Sequence, residues 1–382
     1  MNRPDASKPL KILSIGTEKA LFEDGWVRRR IVEQLKDMNA TILVFSKGKF
    51  DAMVADNVRV VSTDSWNKYF YVLDACLAVL RIKKHEKNAV WDAVLTQDPI
   101  ETALVGVFAA RVLSCALAIQ DHGYHFHGDY YRKESWLNRL RYLFAKWVIK
   151  RADAVRVVSK RTEEALIRLG VDQGKIVRFS LAVRRPGARS PEYGMTSSEL
   201  RTPYFVLAAR FVPIKRIDLA IHAFSLVIPR CPDVKLKIVG RGPLEDLVKQ
   251  KIAEFNLTDK VEVISWTDKL DGLYQNAVAT LITSDREGFG MTAVESLVDG
   301  TPVIMTDVGC AGEVVKDGEN GYVVPVGDVE GLADRMVRVL EEGATVKEGA
   351  GRFVWQTTDV GMGDLMNRAM ARKKHAGYNN QN

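Results

Sequence analysis

Two glutamates flank a glycine-bracketed turn in DREGFGMTAVESLVDGTPVIMTD, residues 285–307. The preceding run ATLITS, residues 279–284, is apolar and of strand length, and Met291–Val298 carries apolar residues at helical spacing. This pattern predicts Glu287 at the carboxyl end of a buried strand and Glu295 about one and a half turns into the following helix. Between them lie Gly288, Phe289 and Gly290. The two glycines permit a sharp turn and close approach of a ligand. The amides of Met291 and Thr292 then open the helix, where unpaired N–H groups and the helix dipole attract a diphosphate. A carboxylate at each end of that cradle accepts directional hydrogen bonds from sugar hydroxyls. The layout suits a sugar joined to a nucleotide through phosphate. Two solvated helix charges would have the same spacing, so the remaining constellations decide.

Arg210 is expected to end a strand, FVLAAR at residues 205–210, with Lys215 at the start of the next helix. Two cations at a strand end can neutralise a diphosphate and stabilise its departure as a leaving group. Further on, VGRGPLED spans residues 239–246. There Gly240 and Gly242 permit close backbone approach, and Pro243 suits a first helical turn. In the first half, CALAIQ at residues 115–120 runs into DHGYHFHGDYYR at residues 121–132. His122, His125, His127 and Tyr130, all suited to sugar hydroxyls, fall in this one loop. Clustered histidines also suit a metal, but no Cys, Asp or Glu partner falls at a recognised ligand spacing, so no metal is expected.

Together these segments resemble the retaining glycosyltransferases of family 4, which have the GT-B fold. The resemblance is specific over residues 200–330, through AARFVPIKRIDLAIHAF and the glutamate pair, and looser over residues 1–180. It implies that Glu287 faces the donor sugar and Glu295 holds the nucleotide ribose. Arg210 and Lys215 hold the diphosphate, and Gly240 and Arg241 form the loop beside the nucleotide. Gly288, Phe289, Gly290, Met291 and Thr292 complete the donor cradle. By position, His122 of the His-Gly pair lies against the donor sugar near the reacting carbon, and His125, His127 and Tyr130 face the acceptor. Gly16 keeps part of a glycine pair that many members have in the first loop. The rest of that loop, GTEKALFEDGWVRRR, departs from the family and leaves the acceptor open. FSLAVRRPG likewise stands where the family has Asn-Gly-Val-Asp, so no contact carries over from it.

The reaction implied is transfer of a sugar from a nucleotide diphosphate sugar to an acceptor hydroxyl with retention, in polysaccharide or glycolipid synthesis. It needs no metal or other cofactor. Two alternatives stay open: a nucleotide-sugar epimerase of the same fold, which needs additional acids, and a basic binding-only protein, which leaves the carboxylate pair unexplained. Neither the sugar, the base nor the acceptor is named by the sequence.

The elements that must position these residues follow from periodicity. Short apolar strands alternate with helical patterns along all 382 residues, predicting an α/β chain with two Rossmann-like doubly wound domains facing a central cleft. The acceptor-binding domain is expected over residues 1–185 and a Pro-, Gly- and Ser-rich linker over 186–203. The nucleotide-sugar domain follows over 204–351, and a helical segment crossing back to the first domain over 352–382. The run at residues 103–119 divides into a helix and a strand, not a membrane span. The N-terminus has no signal-peptide hydrophobic region, so the expected location is cytoplasmic. The four cysteines, Cys76, Cys115, Cys231 and Cys310, have no paired spacing and are expected as buried free thiols.

Charge is uneven. Residues 1–190 hold 33 Lys and Arg against 21 Asp and Glu, and the remainder 22 against 27. The basic half calls for an anionic neighbour. SWLNRLRYLFAKWVIKR, residues 135–151, sets Trp136, Leu137, Leu140, Phe144, Trp147 and Val148 largely on one helical face with basic flanks. The partners expected are a nucleotide-sugar donor, a saccharide or lipid-linked acceptor and an anionic membrane surface on the inner face. No base-stacking motif of a known RNA-binding type is present, so no nucleic acid is expected.

Overall fold

In the computed structural model the described residues are 8–23, 25–123, 125–126, 130–179, 202–267, 270–355 and 361–379. They form two compact units, one of residues 1–180 with 358–382 and one of residues 181–357.

The first unit begins with β1 (Leu10–Gly16), α1 (Trp26–Gln34), β2 (Met38–Val44), β3 (Asp51–Ala55), β4 (Val58–Ser62) and α2 (Tyr71–His85). It continues through β5 (Ala93–Thr96), α3 (Glu101–Val112), β6 (Ala116–Asp121), α4 (Tyr130–Glu134) and α5 (Trp136–Arg151). β7 (Ala154–Val157), α6 (Lys160–Arg168) and β8 (Ile176–Arg178) complete the sheet, whose order is β3-β4-β2-β1-β5-β6-β7-β8. All pairings are parallel except β3 with β4. Strands buried on both faces read as continuous apolar runs, as in ILSI and AVLT.

The second unit runs β9 (Tyr204–Ala208), α7 (Ile217–Val227), β10 (Lys235–Val239), α8 (Glu245–Glu254), β11 (Val261–Ile264), α9 (Asp271–Gln275) and β12 (Ala279–Ile282). α10 (Met291–Val298), β13 (Val303–Thr306), β14 (Gly321–Val324), α11 (Val329–Glu342) and α12 (Ala344–Gly351) follow. Its parallel sheet has the order β11-β10-β9-β12-β13-β14. The chain lays down β9, β10 and β11 outward in one direction and then returns to place β12 against the other side of β9. The strand order therefore reverses between β9 and β12, and the loops leaving their carboxyl ends diverge to opposite faces and open a crevice. In the first sheet the reversal falls between β1 and β5.

The last helix, α13 (Met362–Asn379), belongs to the first unit and seals one face of its sheet. Leu365, Met366 and Ala369 are fully buried in a cluster with Ala93, Ala116, Ala118 and Ala154, a floor of small side chains that lets the helix lie close. Arg368 donates to the Ile176 carbonyl at 2.9 Å, and Arg372 pairs with Asp172.

The apolar run at residues 103–119 divides into α3 and β6, as its interruption by Arg111 and Ser114 implies. β3 is an edge strand of exposed and half-buried residues held by antiparallel pairing with β4 and by a bidentate Arg59–Asp51 contact. Residues 311–315 form a turn closed by an Ala311–Val315 bridge. The four cysteines are thiols outside any disulfide; Cys115 and Cys310 are buried, while Cys76 and Cys231 are half-buried. Most of the expected linker falls outside the described residues.

Candidate active site

At the reversal point of the second sheet, the segment leaving β9 carries Lys215 on one turn of 3-10 helix, Pro213–Lys215. The segment leaving β12 carries Ser284 and Glu287. Lys215 Nζ lies 2.5 Å from Glu287 Oε1, and the Ser284 hydroxyl donates to the same oxygen at 2.7 Å. The side chains of Lys215 and Glu287 are 20% and 14% exposed. With both groups largely out of water, their attraction is screened far less than at a surface. Tight backbone linkage holds the pair: the Asp285 amide donates to the Ile214 carbonyl at 2.9 Å, and Thr283 Oγ1 lies 2.9 Å from the Lys215 and Arg216 carbonyls. Arg216, with φ 45°, bridges Asp285 at 3.1 Å and Asp218 at 3.2 Å and fastens the two loops together. A narrow crevice here is lined by Ala209, Lys215, Ser284, Glu287 and Thr292.

Beyond Glu287 the chain passes through Gly290, whose φ of 92° lies in the left-handed region, and enters α10 at Met291. A side chain at Gly290 would strain this entry. The N-cap of α10 is Gly290, so no side chain at that position caps its first amides. Glu295 is half-buried on the second turn of α10. Phe289 is expected in the donor cradle. Its side chain is buried and packs edge-on against Trp355 at 5.9 Å, which fixes the loop. A flexible turn needs such an anchor if Glu287 is to be held in one place.

Arg210 lies two residues beyond the end of β9 and is exposed. The neighbouring β10 loop packs tightly: the Phe211 amide donates to the Arg241 carbonyl at 2.9 Å, and a Cβ on Gly240 would stand 1.9 Å from the Ala209 carbonyl oxygen. Gly240 is therefore required for backbone contact between the two loops. Arg241 is exposed beside it, and Pro243 sits in the turn before α8, not in its first turn.

In the first unit, Asp121 ends β6 and is fully buried. Its Oδ1 accepts from the Gly123 amide at 3.1 Å and lies 3.2 Å from His125 Nδ1. His125 is buried and meets the Tyr131 ring edge-on at 5.2 Å, so it braces the loop from inside and is not turned toward an acceptor. His122 is half-buried, and burial together with the Arg156 cation pushes its imidazole down to about 4. Arg156 itself is buried in β7; it donates to Gln120 Oε1 at 2.5 Å and lies over the Phe179 ring at 4.3 Å. The His122 imidazole is thus neutral at physiological pH. Gly16 ends β1, and the space over it is taken by the Gln97 side chain. Tyr130 opens α4, while His127 lies outside the described residues.

Sequence reasoning missed Ser284, Arg216 and Arg156. Arg156 had a signal, a cation inside the otherwise apolar run AVRVVS that should be buried on both faces. Ser284 and Arg216 had none, because their roles depend on which loops meet. Among the described residues, no group of His, Cys, Asp and Glu is arranged to hold a metal ion.

Residues 196–350 match the family model of glycosyl transferases group 1, and residues 25–182 match that of the glycosyl transferase 4-like domain. The poly(glycerol-phosphate) alpha-glucosyltransferase of Bacillus subtilis (strain 168) is 34% identical over 141 residues, 37% of this chain and 21% of that protein. The D-inositol 3-phosphate glycosyltransferase of Saccharomonospora viridis is 27% identical over 258 residues, 61% of this chain and 59% of that protein. The chain therefore spans less than two thirds of the length of these curated relatives. The sucrose-phosphate synthase of Thermosynechococcus elongatus shares the fold, with a TM-score of 0.71 at 18% identity over 97% of this chain and 98% of that one.

Proposed function

The chain belongs to the family-4 type of glycosyltransferases, with the GT-B fold, and from this membership we propose that it moves a sugar from a nucleotide diphosphate sugar to an acceptor hydroxyl with retention at the anomeric carbon. The observation that carries the reading is the Lys215–Glu287–Ser284 cluster at the reversal point of the second sheet, beside the uncapped start of α10. A diphosphate offers Lys215 a more highly charged partner than Glu287 does. As Lys215 turns to it, the Glu287 carboxylate is released to accept hydrogen bonds from donor-sugar hydroxyls. Arg210 and the amides of Met291 and Thr292 share the diphosphate charge, and Glu295 takes the ribose. Negative charge grows on the departing diphosphate as the bond breaks, so these groups bind the transition state more strongly than the ground state. A diphosphate oxygen then accepts the acceptor's proton from the same face. In the first unit His122, held neutral by burial, can hydrogen-bond a sugar hydroxyl without adding positive charge.

The second unit is assigned to the donor and the first to a saccharide or lipid-linked acceptor. Favouring a membrane-proximal acceptor, α5 leaves its apolar row in solvent: Trp136 is 72% exposed, Leu143 61% and Phe144 53%, with Leu137, Leu140 and Trp147 also exposed. A row on α2, Leu73, Leu77 and Leu80, is exposed too. Rows of this kind flanked by Arg139, Arg141, Lys146, Lys150 and Arg151 suit an anionic membrane surface, the cytoplasmic face being the expected one. Among the described residues no helix is long and apolar enough to cross a membrane.

The test is incubation with UDP, GDP, ADP and TDP sugars with and without a lipid-linked acceptor, reading release of nucleoside diphosphate and product anomer. Interconversion of the free nucleotide sugar without acceptor would support the epimerase instead. Binding with no turnover on any donor would support a binding-only protein.

A further inference from the structure

A shallow basin of about 360 Å³ opens where α4 meets α5, lined by Arg132, Lys133, Arg139, Tyr142 and Leu143. Three of its five lining residues are cations. Glu134 beside them accepts from the Asn138 side-chain amide at 3.0 Å, which ties the end of α4 to α5. The wall is ordered by packing: the Arg132 guanidinium lies over the Tyr142 ring at 4.9 Å, and Arg139 Nε donates to the Arg132 carbonyl at 3.3 Å. Such a hollow suits a compact anion with several acceptor oxygens, and a phosphate is that group. Two further observations decide which phosphate. Leu143 lines the basin and also belongs to the exposed apolar row of α5, so the cationic hollow and the lipid-facing surface are continuous. On its inner side, Tyr142 packs against Phe126 at 5.7 Å, in the same short loop as His122.

Resting on the transferase reading, we propose that this basin binds the phosphate of a lipid-linked acceptor, whose hydrocarbon lies along the α5 row while its head group reaches toward the His122 loop. A soluble phosphate would use the cations and leave the adjoining apolar row without purpose. A lipid phosphate uses both, because chain and charge are joined in one molecule as Leu143 and the cations are joined on one surface.

The experiment is sedimentation of the full chain with phosphatidylcholine vesicles carrying either a polyprenyl monophosphate or phosphatidylglycerol at equal negative charge, without nucleotide sugar. The polyprenyl phosphate vesicles should bind about tenfold more tightly, the effect of one charge-assisted hydrogen bond. Replacing Arg132→Gln with Arg139→Gln should remove this preference, while Lys146→Gln with Lys150→Gln, the same charge lost outside the basin, should keep it. If the double basin variant melts below the parent, Lys133→Gln alone, an exposed lining residue, must still weaken the preference. Equal effects of the two double variants, or inorganic phosphate bound as tightly as the lipid phosphate, would overturn the proposal. No turnover enters this measurement, so failure of the transferase reading appears only in the donor panel.

Discussion

Replacing Lys215 with Ala tests the leaving-group site directly. Lys215 Nζ stands 2.5 Å from Glu287 Oε1, and both side chains are largely buried. A diphosphate oxygen held by the same ammonium at about 4 Å, in an effective dielectric of about 20, gains about 4 kcal/mol per unit of charge. Charge gained by the leaving group as the bond breaks is on the order of half to one unit, so Lys215→Ala should raise the barrier by about 2–4 kcal/mol. That is roughly a 30- to 900-fold loss in kcat. The variant also leaves Glu287 with the Ser284 hydroxyl but no cation, costing about 1–3 kcal/mol of stability. Steady-state kinetics on the best donor of the panel, with thermal melting as the fold control, measures both effects. A variant that melts like the parent, keeps its kcat and shows only a raised KM for the donor would refute the reasoning. Lys215 would then bind ground and transition states alike.

Glu295→Ala should weaken binding of the free nucleoside diphosphate by about 1.5–3 kcal/mol, the value of a hydrogen bond to a charged acceptor; unchanged affinity by calorimetry removes the ribose assignment. Gly240→Ala should lower stability by about 1–3 kcal/mol, because its Cβ would stand 1.9 Å from the Ala209 carbonyl oxygen; a melting temperature equal to the parent's contradicts that packing. The His122 ring should stay neutral down to about pH 4, where the ordinary value is 6.5. The unfolded chain takes this proton more readily, so the stability from the neutral ring is complete above pH 6.5 and is lost as the pH falls through 4. Proton NMR of the ring would show it, Arg156→Met should move the titration upward, and a midpoint near 6.5 in the parent rejects the assignment. Turnover should survive EDTA, since cations on the protein take the leaving group's charge; complete loss restored by magnesium would show that a metal shares the diphosphate.

The alternation of apolar strands with helical patterns was legible residue by residue, because each element's period is local. So were the glutamate pair, the glycine turn between its members, Arg210 at the end of FVLAAR and Lys215 after it, since strand, turn and helix there follow one another within a few residues. Local period says nothing about which strands lie side by side. The return of β12 to the flank of β9 brings Lys215 to Glu287 across 72 positions, and it recruits Ser284 and the Arg216 clasp, which no spacing could announce. Tertiary packing also sorted residues of one chemical type into different roles. Phe289 became an anchor under Trp355, and His125 was turned inward by the buried Asp121. The apolar face of α5 went the opposite way. A helix packed on its own sheet has the same pattern as a helix seated on a membrane, and only the packing of α3 and α5 on the sheet showed that Asn138, Ala145, Val148 and Ile149 meet the core while Trp136, Leu143 and Phe144 remain outside.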